Sequence, residues 1–128
     1  MSKDELLYDP IDIQPIPSGV YSAHVARAEL VKAKSGVEYV SCEIQIIQGS
    51  QQGKTVSINF HIHASDSRFR QDSRRKFTKL LSCCGIDNAT SSSLNLVCEK
   101  PFLVEIGETR DSFGDTNCIL GFEKLRGS

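Results

Sequence analysis

Two histidines one residue apart, His61 and His63, precede a run of arginines in HIHASDSRFRQDSRRKF, residues 61–77. Three chemistries compete for this stretch. Alternate histidines on a strand put both imidazoles on one side, as half of a metal site requires. No third ligand lies nearby except Asp66 and distant cysteines, so contact with a base or phosphate, or plain exposure, competes with the metal reading. Arg74-Arg75-Lys76 has the composition of a nuclear signal, but it falls inside an amphipathic pattern. The cations could also form one wall of a groove for a polyanion, and the charge distribution favours this. Six basic residues against two acids lie between Asp66 and Lys79, leaving the rest of a chain of net charge −1 acidic. Four acids, Asp4, Glu5, Asp9 and Asp12, crowd the N-terminus.

The five cysteines, Cys42, Cys83, Cys84, Cys98 and Cys118, are odd in number and lack C-x-x-C spacing. Free, mostly buried thiols are expected, with no metal and no cofactor. No Walker loop, nucleophile elbow or H-E-x-x-H is present, and no carboxylate pair with an obvious partner, so the chain does not read as an enzyme. No apolar run approaches membrane-spanning length and no secretory signal layout opens the chain, so a cytoplasmic protein is expected.

The elements that must position these residues are mostly strands. Residues 1–18 hold three of the four prolines and read as an irregular arm. Gly19 opens a long strand whose apolar phase slips at Ala26–Ala28, the mark of a bulge. EYVSCEIQII and KTVSINFHIH alternate with period two, which places Val40, Cys42, Ile44 and Ile46, and then Val56, Ile58, Phe60 and Ile62, on one face. Tyr39, Asn59, His61 and His63 take the other. A helix capped by Asp66 or Asp72 follows, with Phe69, Phe77, Leu80, Leu81 and Cys84 on its apolar side and Gly85 ending it. Two more strands, PFLVEIGE and NCILGFEKL, are joined by the loop TRDSFGDT. This order suits a mainly β domain over residues 19–125: a five-stranded Greek-key barrel with one helix between strands 3 and 4. A small β-sandwich with one helix is the alternative. Residues 126–128 read as a tag remnant or C-terminal stub.

Several local patterns together resemble a known family: IPSGVYSAHVARAEL, KSGVEYVSCEIQI, GKTVSINFHI, a basic helix ending in CCGI, KPFLVEIG and NCILGFEKL. Spread over residues 15–125, they are similar to a phage-encoded family of small OB-fold proteins, long catalogued as a domain of unknown function and regarded as single-stranded DNA-binding proteins. The most specific pieces are Pro17-Ser18-Gly19-Val20-Tyr21, Lys34-Ser35-Gly36, Gly53-Lys54, Asn117 and Gly121-Phe122-Glu123, all of them turn and packing features. The resemblance implies an OB fold and sequence-tolerant single-strand binding in DNA replication or recombination, in the cytoplasm of a bacterial host. It leaves replication or recombination proteins as further partners and a homodimer open. No acidic, aromatic-tipped tail of the kind many single-strand binders carry is present.

A non-specific single-strand binder needs cations for phosphates and aromatic faces for bases. On an OB barrel the outer face of strands 2 and 3 usually supplies them. The candidates there are Tyr39, Asn59, His61 and His63, with Lys34 and Lys54 at the turns. Tyr39 could stack on a base or simply cover a barrel edge. On the helix, Arg68, Arg75 and Lys79 form one row, and Arg70 and Arg74 another. A solvated helix face is the plain alternative for both rows. In the last loop, Arg110 and Phe113 could contact a base, or Phe113 could fold back onto the barrel. A rival function is an interaction module on the same barrel without nucleic-acid affinity of its own.

Overall fold

The computed structural model describes residues 15–111 and 114–125, with the side chains of residues 110, 111, 114 and 115 left aside. The chain runs β1 (Gly19–Lys32), β2 (Glu38–Ile46), β3 (Thr55–Phe60), α1 (Ser67–Cys83), α2 (Ser93–Leu96), β4 (Phe102–Asp111) and β5 (Gly114–Glu123). The strands form one antiparallel, five-stranded sheet in the order β3-β2-β1-β4-β5. The domain is therefore mainly β.

Alternation along β2 does what period two requires. Val40, Cys42, Ile44 and Ile46 are buried, and the residues between them lie on the outer face. The phase slip in β1 is a bulge between Val25 and Arg27, which lets one strand pair with β2 along most of its length and with β4 through Gly19–Ala23. A second bulge in β5 sets Gly121 opposite Glu105 and Ile119 opposite Ile106, leaving Leu120 as the extra residue. The sheet curls enough for its two edge strands to meet inside. Phe60 of β3 and Phe122 of β5 stand 6.3 Å apart between ring centroids, with Phe77 of α1 5.1 Å from Phe60 and Phe102 5.6 Å from Phe122. This aromatic cluster is the centre of the core.

Helix α1 is closed at both ends by local chemistry. Asp66 caps it by accepting from the Phe69 amide at 2.8 Å. At the other end Gly85, at φ 76°, donates to Ser82 O, and Ile86 donates to Leu81 O, which is a Schellman closure. Before β1, buried Ile16 is held by a side-chain mimic of strand pairing. Its N–H donates to Asn117 Oδ1 and its carbonyl accepts from Asn117 Nδ2, both at 2.8 Å. Thus the expected irregular arm is docked at least from Ile16 onward.

Three expectations need correction. Strand β3 stops at Phe60 rather than His63, because the Ile62 amide turns back to the Phe60 carbonyl and Ala64 to His61. Phe69 does not belong to the buried stripe of α1: it is 49% exposed, and Ser73 is buried one turn later. The expected loop at residues 109–116 is mostly paired strand, with Thr109 opposite Thr116 and Asp111 opposite Gly114. Backbone pairing continues there although the side chains lack an apolar face to announce it.

All five cysteines are free. Burial pushes the Cys42 thiol up to about 12 and the Cys84 thiol up to about 11, from an ordinary 9.0. The native state holds these protons longer than the unfolded chain, so their contribution is full below pH 9.0 and is lost as pH rises toward 11 and 12. Urea midpoints should therefore fall between about pH 8 and pH 10, and Cys42→Ala should flatten that slope relative to wild type. Equal slopes in the two proteins would contradict the assignment.

Candidate nucleic-acid interface

The outer face of the β2–β3 hairpin is built by register. Ser41 lies opposite Asn59, Glu43 opposite Ser57, and Gln45 opposite Thr55. Its centre is polar and internally matched. Arg27 reaches Glu43 at 3.7 Å and Glu29 at 3.8 Å, and His24 Nε2 meets Gln45 Oε1 at 3.0 Å. Such exposed pairs add little stability, but they cancel charge at the middle of the face.

At the end of the hairpin beyond Phe60, the surface becomes aromatic. The rings of Tyr39 and His61 are 5.3 Å apart and tilted by 34°. The rings of His61 and Phe69 are 5.2 Å apart and tilted by 30°. Tyr39 starts β2, His61 follows β3, and Phe69 sits in the first turn of α1, so three elements contribute one ladder of rings. Tyr39 and His61 are half-buried and Phe69 is exposed.

The corner between β3 and α1 holds this ladder in place. Arg74 Nε donates to the Ile62 carbonyl at 2.7 Å, and Arg70 Nη1 donates to the Ala64 carbonyl at 2.9 Å. These charge-assisted bonds tie the helix to the turn after β3. The second arginine row thus has a local structural job. In the first row, Arg68 and Arg75 share a shallow surface depression with Phe69. Asp72 lies 3.3 Å from Arg75 and 3.5 Å from Lys76. Lys79 faces instead, with Arg75 and Lys76, a cleft between β3 and β5.

The structure thus joins Tyr39 and His61 in one ladder and sets Arg68 and Arg75 beside its outer ring, Phe69, with exposed Asn59 further along the outer face, and disperses the others. Lys34 sits in the β1–β2 turn, a few residues before Tyr39. Lys54 stands at the opposite end of the hairpin, about five residue pairs or roughly 17 Å away along the strands. His63 leaves the face of His61 and lines a separate cleft with Leu30, Val40, Ile62, Phe77 and Leu94. The end of β3 at Phe60 is the cause, since alternation lapses there. Phe113 and the side chain of Arg110 lie outside the described residues. Among the described residues, no three His, Cys, Asp or Glu side chains are grouped as a metal would need, and no helix is long and apolar enough to cross a membrane.

Phe69 is the site residue that sequence reasoning misassigned. Its spacing of eight from Phe77 mimics a buried stripe, yet with Asp66 as cap it occupies the third helical position. There its ring lies against His61 instead.

Residues 9–126 match the family described as "Protein of unknown function (DUF669)", and the chain belongs to that family. No curated protein matches the chain.

If the ladder serves a ligand rather than the core, its outer ring should be dispensable for stability. Phe69→Ala should cost less than about 1 kcal/mol in urea unfolding, whereas Phe77→Ala, deep in the core, should cost about 3–5 kcal/mol. Comparable losses for the two would assign Phe69 to packing.

Proposed function

We propose that this chain is a single-stranded DNA-binding protein of phage type with an OB barrel, acting in DNA replication or recombination inside the bacterial host. The observation that carries the reading is the Tyr39–His61–Phe69 ladder on the outer side of β2 and β3, with Arg68 and Arg75 beside its outer ring. The strand order supports the barrel: the sheet's edges are β3 and β5, and their aromatic side chains meet in one core.

The chemistry follows from ring faces and charge. Any base has a π-face, so stacking on rings is sequence-tolerant and contributes about 1–3 kcal/mol per base. Rings 5.2–5.3 Å apart leave no room for a base between them, since a sandwich needs about 7 Å. Bases therefore lie against the open side of Phe69 and the exposed rim of Tyr39. Arg68 and Arg75 beside Phe69, and Lys34 beyond Tyr39, meet the phosphates. Duplex DNA keeps its base faces stacked and offers this ladder nothing but backbone.

Labelled oligo-dT should bind far more tightly than duplex of equal length. Tyr39→Ala and Phe69→Ala should each weaken it by about 1–3 kcal/mol, roughly 5- to 150-fold. Log affinity should fall linearly with log salt, and Lys34→Ala should reduce that slope by about 0.7. A chain that leaves oligo-dT unshifted at low salt would instead be a protein-interaction module on the same scaffold.

A further inference from the structure

On the other side of α1 the edges of the sheet leave a slot. Its floor is Ile58 of β3 with Ile119, Leu120 and Phe122 of β5, its rim is Arg75, Lys76 and Lys79, and its volume is about 350 Å³. Leu120, pushed out of register by the bulge, is 59% exposed. Nothing stands within 4 Å of where a Cβ on Gly121 would be, so the β5 backbone is open there. Among the described residues β3 and β5 have no strand on their free sides, which makes the slot suited to an extended segment. Apolar floor and cationic rim together select a segment with both apolar and acidic side chains. The slot lacks the exposed rings that a base would need.

This chain carries such a segment and starts it at the slot's own wall. Ile16 is paired with Asn117 of β5, three positions before Leu120. The preceding residues, MSKDELLYDPIDIQ, hold Asp4, Glu5, Asp9 and Asp12 against Lys3, interleaved with Leu6, Leu7, Ile11 and Ile13. Ten extended residues reach roughly 33 Å, ample for a slot that begins three residues along β5. On the rim, Asp72 lies beside Arg75 and Lys76, while Lys79 makes no ion pair among the described residues.

We propose that the slot between β3, β5 and α1 is a docking surface for the chain's own residues 4–13, whose carboxylates meet Lys76 and Lys79 while their apolar side chains cover Ile119 and Leu120. The proposal is independent of DNA binding and stands or falls without it.

Zero-length carbodiimide coupling of the full-length protein, mixed from unlabelled and ¹⁵N-labelled copies, tests it by mass spectrometry. The expected result is amide bonds from Asp4, Glu5, Asp9 or Asp12 to Lys76 or Lys79 within single copies, lost in Leu120→Glu at an unchanged melting temperature. No such links, links to Lys34 or Lys54 instead, links only between copies, or links that persist in Leu120→Glu would each overturn it. Should Leu120→Glu lower the melting temperature, hydrogen exchange of wild type against Asp4→Asn/Glu5→Gln/Asp9→Asn/Asp12→Asn decides. Exchange at the β5 edge should then rise at least about tenfold, with Cys42 and Ile44 unchanged; equal rates would overturn the proposal.

Discussion

The corner between β3 and α1 governs the surface of this domain. Strand pairing ends at Phe60, and the next few residues must reverse direction with their carbonyls exposed. Arg74 and Arg70 satisfy two of those carbonyls, Ile62 and Ala64, and Asp66 accepts from the Phe69 amide in the first turn of α1. Water would otherwise meet carbonyls at so exposed a corner, so these bonds fix its geometry more than they add stability. The same bonds fix where α1 starts. Its first turn then sets Phe69 against His61. With a looser corner, Tyr39 and His61 would remain a pair without the third ring.

The corner also sorts the cations. Arg70 and Arg74 are held by carbonyls and act on structure, whereas Arg68 and Arg75 border the ring ladder. Lys76 and Lys79 turn toward the β3–β5 slot, which Arg75 also borders. A helix that looks uniformly basic in sequence thus serves two surfaces and one joint. The wheel position of each residue decides which, because residues three or four apart stack on one face of a helix.

Much of the frame was legible beforehand, for a physical reason. Period-two burial in β2 and the phase slip in β1 are properties of a half-buried backbone, so Val40, Cys42, Ile44 and a bulge near Ala26–Ala28, which the structure sets between Val25 and Arg27, could be read from residue types alone. What escaped depended on tertiary placement. His63 sits in phase with His61 by sequence, yet the strand ends between Phe60 and His61 and the two histidines part. Phe69 fits a helical stripe, yet its ring lies against His61 and stays 49% exposed. Residues 109–116, the far end of the β4–β5 ribbon, read as a loop because their polar side chains carry no amphipathic signal, although the backbone pairs through Asp111 and Gly114. Of the ladder, Tyr39 and His61 were visible as outward residues of adjacent strands. Their contact with each other and with Phe69 was not.

The central claim is that the ladder takes nucleobases on its open end, and the chain offers a direct way to watch it. The sequence contains no tryptophan. Phe69→Trp therefore places a single indole reporter on the outer ring, where a stacked base quenches it. Saturable quenching by oligo-dT is expected, reversed by salt and absent with duplex of the same length. Unchanged emission while the oligonucleotide is bound, or equal quenching by duplex, would contradict it.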